Sequence, residues 1–208
     1  MPPEVRDSQR LQEILSAFYA GRTTRDETRS ELIDVVLGRM HCARVTLWKF
    51  DGEGEDLGLL RFASKTAGGV LDTSDRRLCR SEYRDYFNAL IEKGVFLSDD
   101  AMSAPALEPM RASYLVPQHV LSTLDAAFML NGRAYGAICC EETASIRHWR
   151  QGDVAALRAI VTKMALMMSG APESILWVTP SMPLRAMAAT PAATEPTRPA
   201  RSPSDRRG

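Results

Sequence analysis

The sequence predicts a layered domain in which helices cover an antiparallel β-sheet. Asn131-Gly132 separates two apolar, β-prone runs, and the pair suits a type I′ turn because both of its residues must adopt positive φ. The runs, residues 123–130 and 133–142, are therefore expected to form a long antiparallel hairpin. Amphipathic helices are predicted near both ends of the chain, and each must bury its apolar face. A sheet covered by helices in two or three layers satisfies both requirements.

The composition limits the size and the partners of this domain. With 208 residues, 45% of them hydrophobic, the chain can bury one full core but not two large ones. Lys plus Arg and Asp plus Glu number 26 each, so no overall charge favours nucleic acid or anionic lipid. No run approaches the roughly 18 apolar residues of a membrane helix, and the first residues lack a signal-peptide core. We therefore expect a cytoplasmic protein without nucleic-acid or membrane partners.

Two helices are predicted before the first strand. Residues 1–7 are expected to be flexible, and the first helix spans residues 8–20 and ends at Gly21. Thr24 and Glu27 form a capping-box pattern, because the side chain of each residue can bond the free backbone N–H of the other. The second helix therefore begins there and runs to about residue 40.

The next segments alternate between strands and loops. The first strand, residues 44–50, carries apolar side chains on both faces, which predicts that both faces are covered. A turn leads to a second strand at 57–64, and a polar loop follows at 65–80.

A third helix and a crossover separate these strands from the central hairpin. Ser81 is a candidate cap for the helix, which carries an apolar stripe over residues 83–91 and ends at Gly94. A short strand at 95–98 follows. Prolines make the crossover irregular, so that helix is plausible there only between residues 109 and 115.

The last helix, about residues 151–168, ends the predicted domain at residue 170. Seven of the twelve prolines lie from Pro172 onward, and Ala, Thr, Ser and Arg fill most of the spaces between them. Such a composition buries too little apolar surface to offset chain entropy. Residues 171–208 are therefore predicted to be a disordered tail.

Five short segments, in this order and at this spacing, resemble a GAF domain of the variety found beside bacterial histidine kinases and diguanylate cyclases. They are Tyr114-Leu115-Val116-Pro117, Ser122-Thr123-Leu124-Asp125-Ala126, Asn131-Gly132-Arg133, Gly136-Ala137-Ile138-Cys139-Cys140-Glu141 and Arg147-His148-Trp149. The resemblance covers about residues 10–170. It implies a GAF-like (PAS-like) α+β fold with terminal helices on one face of an antiparallel sheet. A ligand pocket on the other face would be roofed by the third helix and the crossover.

Eight residues are candidates to line this pocket. Asp125 lies in mid-strand between apolar neighbours, so its carboxylate faces an enclosed space, where it bonds either a ligand or backbone groups of the crossover. Asp99 either senses a cation or a ligand amine, or it is a solvated strand end. The candidates are Trp48, Phe62, Tyr86, Phe87, Asp99, Tyr114, Ser122 and Asp125.

The leading functional hypothesis is a non-catalytic cytoplasmic sensor or regulatory module in bacterial signal transduction that binds a small ligand. No catalytic motif accompanies the three histidines, no metal site is expected, and no cofactor is specified. The residues that GAF domains use for a bilin or a cyclic nucleotide are absent. One alternative is a thiol redox sensor that uses Cys139, Cys140 or Cys79, the first two of which point to opposite faces of one strand. The other is a protein-interaction module with a degenerate pocket.

The last helix also predicts a homodimer, with a possible signalling protein as a further partner. Apolar residues recur along it with alternating spacings of 3 and 4, which is the seam of a coiled coil. The alternative is that the first and last helices bury each other within one monomer. The seam residues are Val154, Leu157, Val161, Met164 and Met168.

Overall fold

A computed structural model of the protein describes residues 3–168. The tail predicted at 171–208 lies outside these residues. The helices within the described range are too short or too polar to cross a membrane.

Six antiparallel strands form one sheet in the order β3-β2-β1-β6-β5-β4. The central hairpin is confirmed, and Asn131 and Gly132 at its turn adopt φ of 51° and 74°. The strands are β1 Arg44–Asp51, β2 Gly58–Thr66, β3 Arg76–Cys79, β4 Val95–Ser98, β5 Ser122–Leu130 and β6 Arg133–Glu142. The short edge strand β3 lies within the segment predicted as a loop. Its sequence gives no clear strand pattern, because Leu78 is the one residue of β3 that is both apolar and buried.

Four α-helices accompany the sheet: α1 Pro3–Tyr19, α2 Arg25–Met40, α3 Arg84–Lys93 and α4 Gln151–Met168. The capping box at the start of α2 is confirmed, and so is the end of α3 at Gly94, which adopts φ of 70°. Two predicted boundaries were wrong. Residues 3–7, expected to be flexible, belong to α1. Ser81 does not cap α3, because it lies inside a turn in which the N–H groups of Glu82 and Tyr83 donate to the carbonyl of Cys79.

The sheet separates two apolar cores. The first core joins α1, α2 and α4 to one face, and the second joins α3 and the crossover to the other. The prediction that both faces of β1 are covered is confirmed, because Val45 and Leu47 lie in the first core whereas Trp48 and Phe50 contact the second. The result is an α+β domain with the terminal helices on one face, as the resemblance implied.

The crossover between β4 and β5 contains two short helical segments. A 3₁₀ helix at Pro105–Met110 is followed by a single π-helical turn at Arg111–Leu115. The expected helix between residues 109 and 115 is therefore only partly formed, and its hydrogen bonds are not those of an α-helix.

Three of the five seam residues of α4 are buried within the chain, and Val154 is half-buried. Leu157, Val161 and Met164 are at most 3% exposed and pack in the first core. Apolar side chains of α4 extend around more of the helix than the sheet can cover. The helices α1 and α2 lie against α4 and cover the rest of this apolar surface. These three residues therefore fit the monomer alternative and do not form an exposed dimer seam.

Arg147 ties the last helix to the rest of the fold. Its guanidinium donates to the carbonyl of Met40 at 2.8 Å, to Glu142 at 3.1 Å and to Asp153 at 3.2 Å. It also lies 4.2 Å from the ring centroid of Trp149. One cation thus joins the end of α2, the end of β6 and the start of α4.

Candidate functional site

A cavity of about 20 Å³ lies between the sheet and the crossover, inside the second core. This volume holds roughly one water-sized group. The crossover contributes apolar side chains to the wall, among them Leu107, Met110 and Leu115. The sheet contributes polar ones, namely Thr123 and Asp125 from β5 and Cys139 and Glu141 from β6.

The pairing of β5 with β6 brings these four polar residues together. Thr123 lies opposite Glu141 and Asp125 lies opposite Cys139 in the antiparallel register. Residues two apart on a strand share a face, so all four point toward the crossover.

Asp125 is a buried carboxylate that is bonded only by neutral groups. It accepts hydrogen bonds from the Tyr86 hydroxyl at 2.8 Å and from the Thr123 hydroxyl. Burial raises the pKa of Asp125 to about 7, and the nearby charge of Glu141 adds to the effect. Within residues 3–168, no arginine, lysine or histidine forms an ion pair with it. Its charged form therefore depends on hydrogen bonds alone.

Glu141, in contrast, has a counter-ion. Its carboxylate lies 2.6 Å from Nε of Arg44, accepts the Tyr114 hydroxyl at 2.7 Å and lies 3.3 Å from the Thr46 hydroxyl. Burial raises the pKa of the Tyr114 hydroxyl well above its usual value, so this group remains a donor. The cavity is thus lined by one carboxylate with a cation and one without.

Aromatic side chains complete the wall. Trp48 and Tyr114 meet edge to face, with ring centroids 6.0 Å apart. Tyr86 approaches from α3 and bonds Asp125. The buried Nε1–H of Trp48 has no hydrogen-bond acceptor within the described part of the chain.

The cavity gathers four of the eight residues predicted for the pocket: Trp48, Tyr86, Tyr114 and Asp125. Phe87 is buried in the same core but lies behind Tyr86, with its ring edge to face with Phe50. The alternative in which Asp125 bonds backbone groups of the crossover is not observed, because its hydrogen-bond partners are the side-chain hydroxyls of Tyr86 and Thr123.

Phe62 was wrongly assigned to the pocket. It lies in the first core, where the guanidinium of Arg29 is 5.1 Å from its ring centroid. Leu59 of the same strand faces the second core, so the alternation of β2 sends Phe62, three residues further on, to the opposite face.

Asp99 and Ser122 hold the segment before α4 and do not line the cavity. The Ser122 hydroxyl donates to the carbonyl of Asp99 at 2.7 Å and accepts the backbone N–H of Arg147 at 2.7 Å. The Asp99 carboxylate accepts the Trp149 N–H at 2.9 Å and lies 3.0 Å from Nδ1 of His148. These hydrogen bonds, first from His148 and then from Trp149, lower the pKa of Asp99. The side chains of Asp99 and Ser122 therefore hold the backbone before α4 in place and do not contact the cavity.

The sequence interpretation missed Thr123 and Glu141 as lining residues. The signal was available in the alternation, because Thr123 is two residues from Asp125 and Glu141 is two residues from Cys139. Glu141 was read as part of a family segment and was not assigned to a face.

The thiols lie in different environments. Cys139 lines the cavity while Cys140 packs in the first core, so the two adjacent side chains do point to opposite faces. Burial raises the pKa of both thiols well above the usual value, which disfavours the reactive thiolate. Cys79, at the end of β3, is only half-buried. Among the described residues, no group of three or more His, Cys, Asp or Glu side chains is arranged to hold a metal ion.

Comparison with known proteins identifies the architecture. Neither a protein-family model nor a curated protein matches the sequence. Solved structures do match. The PixJ GAF domain of Thermosynechococcus elongatus is 17% identical, with a TM-score of 0.53 over 82% of this chain and 92% of that chain. The GAF domain/HD domain protein of Geobacter sulfurreducens is 16% identical, with a TM-score of 0.56 over 71% and 93%.

The chain has the GAF fold. The chromophore-binding domain of the bacteriophytochrome RpBphP3 from R. palustris is also similar, at 12% identity and a TM-score of 0.62 over 81% of this chain and 61% of that chain. In this GAF fold the cavity lies where the resemblance implied a pocket, between the sheet and the segment that joins β4 to β5.

The raised pKa of Asp125 predicts a specific dependence of stability on pH. Folding favours the protonated carboxyl, so its contribution to stability is present at low pH and is lost as the pH rises toward 7. Between pH 5 and pH 8, the free energy of unfolding of the wild type should fall by about 3 kcal/mol more than that of Asp125→Asn. Urea unfolding of both proteins at the two pH values measures this difference.

Asp85→Asn is the matched control, since Asp85 is an exposed residue of α3. This variant should follow the wild type at both pH values. Equal pH dependence of the wild type and Asp125→Asn would show that Asp125 titrates at its ordinary pKa.

Proposed function

We propose that the protein is a non-catalytic sensory or regulatory module that binds a small ligand between the sheet and the crossover. The observation that carries the proposal is the wall of hydrogen-bonding side chains that the sheet presents to a cavity in an otherwise apolar core. Burial of polar groups costs free energy even when they are bonded, and apolar residues of similar volume would serve a purely structural core. A polar wall at this place supports the proposal of an occupant.

The cavity size limits the occupant. The similar bacteriophytochrome domain binds a chromophore, as its description states. A cavity of about 20 Å³ takes only a small group unless the crossover moves. A small polar ligand therefore fits this chain better than a large chromophore.

The fold offers a route from the cavity to the terminal helices. Along β5, Thr123 and Asp125 face the cavity while Leu124 and Ala126 pack in the first core with α4 and its neighbours. A shift of β5 on ligand binding would change the packing of α4. We place this module in cytoplasmic signal transduction in bacteria, where altered helix packing passes a signal to a partner.

The small volume of the cavity also favours a second candidate, a protein-interaction module whose pocket is degenerate. A GAF fold with a filled second core would still present its helices to a partner. The thiol redox sensor is less well supported, because burial disfavours the thiolates of Cys139 and Cys140.

A pair of matched substitutions tests ligand binding. Val120 lines the cavity, and Val45 is equally buried in the first core. Val120→Ile adds one methyl group to the cavity and should lower the amount of retained small molecule about tenfold or more, whereas Val45→Ile should leave it unchanged. Native mass spectrometry of the purified proteins measures the bound fraction.

Thermal unfolding of both variants shows whether each has kept its fold. A retained molecule that survives Val120→Ile would place its site elsewhere. The absence of any retained molecule in the wild type, with all variants folded, would support the interaction module instead.

We further propose that the protein is a homodimer through surfaces of α1 and α4 other than the buried seam. Val5 in α1 and Leu166 in α4 are 51% and 62% exposed. Val5→Glu and Leu166→Glu should shift the protein toward a monomer in sedimentation velocity, because each places a charge in an apolar interface. Val70→Glu, at a loop residue that is 91% exposed, is the control and should sediment like the wild type. A monomeric wild type, or a dimer that tolerates both helix substitutions, would contradict the proposal.

A further inference from the structure

The cavity wall contains two buried carboxylates, and one of them has a positively charged partner. Asp125 and Glu141 are both 2% exposed, and within residues 3–168 only Glu141 has a cation paired with it, Arg44 at 2.6 Å. A buried charge without a counter-ion is strongly disfavoured, and a positive group brought next to it would be attracted at low effective dielectric. The site therefore favours an occupant with a positive charge.

Among residues 3–168, no arginine, lysine or histidine forms an ion pair with Asp125. Tyr86 approaches it from α3, and Cys139 and Glu141 approach it from β6. On the other side, Phe96 of β4 is its partner in the strand register, and Thr123 on its own strand donates a hydrogen bond. From the crossover, the neutral hydroxyl of Tyr114 lines the same cavity. All of these groups are neutral or acidic.

The aromatic wall favours the same kind of occupant. Trp48, Tyr86 and Tyr114 all line the cavity. The faces of such rings attract cations, most strongly where water is excluded, and the guanidinium of Arg76 already lies 5.2 Å from the ring centroid of Tyr114. Aromatic rings and a carboxylate without a counter-ion thus converge on a space that accommodates one ammonium-sized group.

Trp48 adds a second requirement. Its indole N–H is buried and has no acceptor within the described residues, although a buried N–H is normally bonded. An occupant that satisfies both Asp125 and Trp48 carries a positive donor and an oxygen acceptor.

We propose that the cavity binds a small primary ammonium compound that also carries a hydroxyl or carbonyl oxygen. The ammonium group donates to Asp125 and the oxygen accepts the Trp48 N–H. The assignment rests on the proposed ligand-binding function and names its ligand class. The ammonium group fills the cavity, and the remainder of the ligand displaces the flexible side chain of Met110 in the crossover wall.

This assignment implies that binding depends on pH. The ammonium group binds the ionised carboxylate, and burial raises the pKa of Asp125 to about 7. A primary amine stays protonated over the range from pH 6 to pH 8. The affinity should therefore rise about tenfold between these two pH values.

Three probes of about equal size test the proposal with the whole 208-residue chain. 2-Aminoethanol has both the ammonium and the hydroxyl group, ethylene glycol lacks the charge, and 1-propylamine lacks the oxygen. Titrations followed by ¹⁵N amide shifts of Thr123 and Cys139 at pH 8 give each dissociation constant. 2-Aminoethanol should bind in the roughly millimolar range and at least tenfold more tightly than ethylene glycol, and propylamine should lie between them.

Asp125→Asn should weaken 2-aminoethanol binding about tenfold or more and abolish its pH dependence, while the exposed-residue control Asp85→Asn should change neither. The wild-type titrations at pH 6 and pH 8 decide the matter even if Asp125→Asn does not fold. Equal binding of ethylene glycol, or binding that does not depend on pH, overturns the ammonium assignment and leaves a ligand-binding module in place. If no probe binds but the purified protein retains another molecule, the ammonium assignment fails and the ligand-binding function stands. If no probe binds and no molecule is retained, the ammonium assignment and the ligand-binding function both fail.

Discussion

Successive side chains of a β-strand point to opposite faces of the sheet, and in the β5–β6 hairpin this alternation gives the protein two cores of different chemistry. Leu124, Ala126 and Ile138 face the terminal helices and pack among apolar residues. Asp125 and Glu141 face the crossover and carry the polar groups of the cavity. A slip of one residue in the register would exchange the two sets and bury carboxylates under the helices. The hairpin register therefore determines where every other element can pack.

The two carboxylates on the polar face of the hairpin, Glu141 and Asp125, differ in how their negative charge is compensated. Glu141 is held by Arg44 and by the hydroxyls of Tyr114 and Thr46, so its desolvation is offset within the chain. Asp125 has hydroxyl donors but no cation partner in the part of the chain that the structure describes. The polar wall of the cavity is the reason to propose a binding site, and this difference between two neighbouring carboxylates is the reason to propose a positively charged ligand.

Much of the fold could be predicted from the sequence, because the local sequence signals agree with the fold that forms. The Asn-Gly turn, the Thr24–Glu27 capping box and the α-helical pattern of α4 each depend on a few neighbouring residues, and all three predictions were confirmed. Predictions that depended on distant partners were less accurate. The face of Phe62 depends on which side of β2 meets α2, and the burial of Val161 depends on where α1 and α2 lie.

The site was predicted only in part, because some of its features are local in the sequence and others depend on distant partners. Asp125 stood out as a carboxylate between apolar neighbours in a strand, a pattern that is visible in the sequence. That Glu141 has Arg44 as its counter-ion, 97 residues away in the chain, follows only from the pairing of β1 with β6. The sequence alone therefore indicated a polar group in the core but not which carboxylate lacks a cation.

Asp125 is a buried carboxylate without a counter-ion among residues 3–168. The ¹³C chemical shift of its side-chain carboxyl carbon, followed by NMR as a function of pH in the protein without added ligand, measures its protonation directly. A buried carboxyl in this environment should show a midpoint near pH 7. A midpoint near pH 4, the ordinary range of an exposed aspartate, would contradict this expectation.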